Sequence, residues 1–106
     1  MSNTIEVLEN QDENHLFTEE PNAIRRMRGW YTTELDGEAA AEEAFHITNA
    51  PTEILTPDQK TKKVLYRDTC PDKRMRSISV GDMVKVTTGL VTRQFLCCGM
   101  GWKEQL

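Results

Sequence analysis

The chain predicts a small α+β domain: a mostly antiparallel sheet with helices packed on one face, in the order β-β-α-α-β-β. Three observations carry this. Residues 76–98 alternate apolar and polar around glycines, as a hairpin does. Asp36 and Thr56 each open a segment with a helix-cap signature. Residues 27–35 are rich in aromatic and β-branched types, which suit a strand.

Residues 4–8, Thr-Ile-Glu-Val-Leu, alternate weakly and predict a short first strand. Residues 9–23 are polar without a clear period and predict a long loop, with Leu16 and Phe17 as its anchor. The second strand spans 27–35. Asp36 then caps a helix whose Glu38, Glu42 and Glu43 favour the positive N-terminal end. Ala40, Ala41, Ala44, Phe45 and Ile47 form its apolar stripe. Pro51 stops it, because the residue before a proline is pushed out of helical geometry.

Thr56-Pro-Asp-Gln is a capping box with proline at the first helical position. The second helix is expected from Pro57 to about Leu65. Val64 and Leu65 supply its apolar content, and Lys60, Lys62 and Lys63 read as a solvated face. Residues 67–76 read as a loop. A strand follows over 77–86, with Gly81 and Asp82 breaking the alternation as a bulge or tight turn would. Thr87-Thr-Gly-Leu makes the hairpin turn. Residues 93–98 form the last strand, and Gly99 and Gly101 bend the closing segment.

The length, 106 residues, fits one domain. It divides into an acidic, partly looped segment over 1–35 and a module over 36–103. No apolar run approaches the ~20 residues of a membrane span. The start, Met1-Ser-Asn-Thr-Ile-Glu, lacks a signal-peptide layout, so a cytoplasmic location and no membrane partner are expected. Three cysteines, an odd count, predict reduced thiols rather than a disulfide framework. Charge is split: residues 1–53 carry -9 and residues 54–106 carry +5, within the net -4. Such asymmetry suits a basic or an acidic contact face.

No residue set points to catalysis. Cys97 and Cys98 are adjacent in a strand and face opposite ways, and zinc sites want convergent ligands at Cys-x2-Cys spacing. Cys70 is the best reactive thiol, because Lys73, Arg74 and Arg76 nearby in sequence would lower its pKa. His15 and His46 pair with no serine or cysteine. The pairs Asp12-Glu13, Glu19-Glu20 and Glu42-Glu43 read as solvated charge. Gly99-Met-Gly-Trp lacks the following helix of a phosphate cradle. A non-enzymatic chain without metal or cofactor is expected.

Two basic-aromatic sets remain. Arg25, Arg26 and Arg28 flank Trp30 and Tyr31; Lys73, Arg74 and Arg76 join Trp102 and Lys103. Arginines beside aromatic rings suit protein hot spots or stacking on single-stranded bases.

Arg76-Ser-Ile-Ser-Val-Gly-Asp-Met-Val, a short turn, and then Phe95-Leu-Cys-Cys-Gly-Met-Gly-Trp-Lys resembles the C-terminal module of YodL-like domains. These occur in small phage and plasmid accessory proteins. Ala44-Phe-His-Ile-Thr-Asn-Ala-Pro and Leu55-Thr-Pro-Asp-Gln are similar to the helix and linker before that hairpin. The likeness covers about 36–103 and is best over 76–103. It implies a mobile-element accessory protein in a bacterial cytoplasm, with a host or phage protein as partner, and it carries over no catalytic residue. Val80-Gly-Asp-Met-Val is also loosely similar to small PUA-type or ASCH-type barrels, which leaves nucleic acid as an alternative partner. A third alternative is an inhibitor whose acidic half, including Glu19, Glu20, Glu42 and Glu43, imitates nucleic acid toward a host defence enzyme.

Overall fold

The structure is a computed structural model and describes residues 2–11 and 24–105. Among these, five strands form one antiparallel sheet in the order β2-β1-β3-β4-β5. The strands are β1 (Asn3–Asn10), β2 (Arg25–Thr33), β3 (Met83–Thr88), β4 (Val91–Cys98) and β5 (Gly101–Gln105). Two helices, α1 (Gly37–Asn49) and α2 (Pro57–Thr69), lie between β2 and β3 in sequence. The expected α+β class and the helices on one face are observed. The order along the chain gains a strand, β-β-α-α-β-β-β, because the segment after Gly99 returns as β5.

Both caps form as expected. Asp36 accepts from the Gly37 amide at 2.7 Å, and Thr56 and Gln59 exchange the two bonds of the capping box. Ala50 and Cys70, each followed by proline, take extended backbone and end α1 and α2.

The first two expected strands are longer or shifted: β1 runs on through Glu9 and Asn10, so these residues leave the expected loop. The rest of that loop expectation, with Leu16 and Phe17, lies outside the described residues.

The core lies between the sheet and α1. Ile5, Val7, Tyr31, Val84, Val86, Phe95 and Cys97 point toward Ala40, Ala41, Ala44 and Ile47. Three alanines let the helix approach the sheet closely, so α1 needs little apolar bulk of its own.

The second helix runs four residues past the expected end, to Thr69. Its packing face is Lys62, Leu65, Tyr66 and Thr69, at helical spacing. Val64, expected as an apolar contact, is exposed, and Lys62, expected in solvent, is buried.

α2 also seals an edge. The β2 strand is outermost, and the Thr69 hydroxyl accepts from the Trp30 amide at 2.8 Å and lies 2.9 Å from the Trp30 carbonyl. This covers backbone groups that an open edge would offer to another chain.

β1 and β2 slip out of register once. Val7 faces Gly29 while Leu8 faces Met27, so Arg28 is the extra residue of a β-bulge. Gly81 and Asp82, read as interrupting a strand, instead precede β3. The Asp82 amide donates to the Ser79 carbonyl at 3.0 Å, closing a four-residue turn with Gly81 at its third position. Gly81 has φ +99°, a conformation that side chains with a Cβ resist. Gly81→Val should therefore lower stability by over ~1 kcal/mol. An unchanged melting temperature would contradict the strained turn.

Candidate functional site

The two basic-aromatic sets do not form two surfaces. Along β2 the side chains alternate, so Trp30 points to the helix-free face while Tyr31 is only 1% exposed, in the core. Tyr31 is thus no contact anchor. It packs edge-on against Tyr66 and aims its hydroxyl at Glu43, and burial first, then Glu43, push its pKa well up. Trp102 and Lys103 likewise part: Trp102 faces the α1 side and Lys103 the helix-free side.

The arginines staple segments together. Arg28 and Arg76 both reach Glu9, at 3.4 and 3.1 Å. Arg76 also bonds Asp82 at 3.3 Å, Arg28 donates to the Arg74 carbonyl at 2.7 Å, and Arg25 donates to the Gly81 carbonyl at 2.8 Å. Asp82, 2% exposed, accepts from the Asn10 and Ser79 amides. Burial raises its pKa against the pull of those bonds. Of the nine expected binding residues, Trp30, Arg26, Arg74 and Lys103 remain exposed without such an internal task.

None of the three thiols is fully exposed. Cys70 is 5% exposed, and burial pushes its pKa up rather than down. The expected activation by Lys73, Arg74 and Arg76 fails because Arg76 serves Glu9 and Asp82 instead. Cys97 is buried and Cys98 half-buried, and none of the three is in a disulfide. His46 is exposed on α1. His15, Asp12, Glu13, Glu19 and Glu20 lie outside the described residues.

Two features escaped the sequence. The first is a charge cage around buried Lys62 and Glu43, open to solvent at Glu34 and Asp58. The Lys62 ammonium, 6% exposed as a residue, donates to Glu43 at 2.8 Å, Glu34 at 3.2 Å and Thr33 at 3.0 Å, and pairs with Asp58 at 2.9 Å. Burial lowers its pKa, but the carboxylate hydrogen bonds outweigh this and hold it above an ordinary lysine. The oxygens of Glu34, Glu43 and Asp58 lie within 4.8 Å of one another, and the ammonium sits among them as their counter-ion. The signal was the four-residue step from Asp58 to Lys62 on the packing face of α2. Glu43 therefore belongs to the interior and is not solvated charge.

The second is a notch of about 200 Å³ between α1 and the β4–β5 turn, lined by Glu42, Phe45, Cys97, Cys98, Gly99, Gly101 and Trp102. Trp102 donates its indole N–H to Glu42 at 2.7 Å and meets Phe45 edge-to-face, at 6.4 Å and 87°.

On the opposite side, where no described helix packs, the sheet is built in cross-strand rows, with Met83 and Leu96 buried there at 4% and 0% exposed. One row is Trp30, Glu6, Lys85, Gln94 and Gln105; the next is Met27, Leu8, Met83, Leu96 and Lys103. Trp30 is 39% and Met27 48% exposed there. No described helix is long and apolar enough to cross a membrane.

The chain matches no known protein family, no curated protein and no solved structure.

Proposed function

We propose that this chain is a non-enzymatic binding protein, an accessory protein of a phage or other mobile element. It engages a host or phage protein through the helix-free sheet face around Trp30. The observation that supports this is the exposure of Trp30 and Met27, which stand in adjacent rows on β2. Large apolar side chains clustered on a rigid strand are what protein partners bury. Tryptophan is enriched among the few residues that dominate binding energy. Glu6, paired with Trp30, and Lys85 beyond it supply polar neighbours on the same row.

Nucleic acid is the second reading, favoured by Lys85 in the Trp30 row and Lys103 in the next. A sheet that offers an aromatic ring among cations suits base stacking. An acidic-mimic inhibitor would have to work without Glu43, whose charge is spent on Lys62.

The test is an affinity capture from bacterial lysate with and without nuclease, using the wild type and Trp30→Ala/Met27→Ala. Both side chains are exposed, so melting should barely change. The double variant should weaken a nuclease-resistant protein partner by roughly 30-fold, about 2 kcal/mol. Retention of the same partner at wild-type strength would remove this face from the proposal. Loss of all partners on nuclease treatment would shift it to nucleic acid.

A further inference from the structure

We propose that the notch between α1 and the β4–β5 turn is a binding site for a quaternary ammonium head group. It lies on the α1 side of the sheet, away from Trp30, and stands or falls separately from the reading above.

The walls select for such a cation. Phe45 and Trp102 both line the notch and stand at 87° to each other, so a guest there meets two aromatic rings in different orientations. Aromatic faces are negative and attract cations, most strongly when the site excludes water. Glu42 adds a carboxylate at the rim, and its Oε2 accepts the Trp102 indole N–H, which fixes the ring in place. Glu42 and Phe45 are three apart on α1 and so share one face. The closest cation on this face of β4–β5, Arg93, is neutralised by Glu104 through bonds of 2.9 and 2.7 Å. The local field is therefore negative.

The same chemistry excludes other guests. An anion would meet Glu42. A primary ammonium carries three N–H donors; Glu42 can accept one, and the aromatic rings leave the others unpaired. A quaternary ammonium has no donor to satisfy and can lay its methyl groups on the rings. The volume, about 200 Å³, falls below the roughly 300–1,000 Å³ of a drug-sized pocket. It suits a head group whose remaining body stays outside. Gly99 and Gly101 line the notch without side chains of their own.

Two sources share this chemistry: a free choline-like molecule and the trimethyllysine side chain of a peptide. The experiment follows the two indole N–H signals of the 15N-labelled full chain by NMR. Choline, an acetylated trimethyllysine peptide, its unmodified lysine counterpart and 3,3-dimethylbutan-1-ol, the neutral isostere of choline, are titrated separately. The Trp102 signal should shift saturably with choline or the trimethyllysine peptide, and the Trp30 signal should not. Binding of choline as tight as the peptide identifies the head group as the whole ligand; binding of the peptide alone identifies a modified protein. The neutral isostere should bind about tenfold more weakly or worse.

Gly99 lines the notch and has no positive φ to strain a side chain, so Gly99→Leu adds bulk at its wall. It should abolish the shift, and Glu42→Gln, which can keep the indole bond but not the charge, should weaken it. No saturable shift with either quaternary probe would overturn the proposal. So would equal binding of the neutral isostere or the unmodified lysine peptide, or an undiminished shift in Gly99→Leu.

Discussion

Lys62→Met lowers stability by about 3–5 kcal/mol at neutral pH, the cost of breaking a buried ion pair from one side. The side chains of Lys62 and Glu43 are each only 7% exposed, so the variant strands a carboxylate away from water. Tyr31 offers it one long bond, at 3.4 Å, which does not replace an ammonium at 2.8 Å. A small domain holds only about 5–15 kcal/mol in total, so the variant is at risk of unfolding outright. Lys62→Met combined with Glu43→Leu removes both charges and should regain most of the loss. Urea unfolding of the two variants decides it. A single variant within ~1 kcal/mol of wild type would mean that water entering past the exposed Glu34 and Asp58 satisfies Glu43.

The cage also sets a pH signature. Lys62 has a folded pKa above the ordinary 10.5, because its carboxylate bonds outweigh the burial that opposes them. The folded state thus holds this proton more tightly than the unfolded chain. Its stabilisation is complete below pH ~10.5 and erodes as pH rises beyond that value. Tyr31, Tyr66 and Cys70 are shifted upward chiefly by burial and act with the same sign. In Lys62→Met the alkaline slope of stability should therefore shrink by about one proton without vanishing. On the acid side Glu34 is held low by a backbone hydrogen bond and by Lys62, so its contribution is present above its ordinary 4.5 and fades as pH falls through the folded value. Asp82 has the opposite sign, since burial makes its ionised form the costly one.

Local chemistry was legible in the sequence where one short segment decides it. Asp36, Thr56 with Gln59, and Gly81 each act within four residues, and each does what its type predicts. The strands over residues 4–8 and 27–35 and the hairpin were legible for the same reason. β5 was not, because Gly-Trp-Lys-Glu-Gln carries one apolar residue and half-covers an edge. Its pairing with β4 is set by the turn at Gly99 and Met100, not by its own pattern.

The sites were legible only in part. Period-two alternation in β2 already separates Trp30 from Tyr31, yet arginines close in sequence suggested one patch. What those arginines meet is decided by Glu9 and Asp82, brought in from β1 and the turn before β3. Lys62 was masked by its own charge: a lysine reads as solvent-facing until its partners on β2 and α1 are in place. The notch joins Glu42 to Trp102 across 60 positions of sequence, and nothing local announces that contact.

Gly29→Val should cost about 3 kcal/mol, the upper end of what overpacking a core costs. Gly29 sits beside the bulge in β2, where α2 comes down onto the strand. A Cβ there would lie 2.8 Å from the Cys70 sulfur, 2.9 Å from Tyr66 Cε1 and 3.0 Å from the Thr69 hydroxyl. All three belong to the end of α2 or its cap, so they cannot yield one at a time. Valine must lift that end of the helix. Doing so breaks the Thr69 bond to the Trp30 amide and exposes the β2 edge that it covers. The variant should thus show two linked effects. Its melting temperature falls, and Cys70, only 5% exposed in the native chain, becomes reactive toward a thiol reagent under native conditions. Thr69→Val tests the hydroxyl alone and should leave Cys70 protected while costing about 1 kcal/mol. A stable Gly29→Val with an unreactive Cys70 would show that α2 does not bear on the strand at this point.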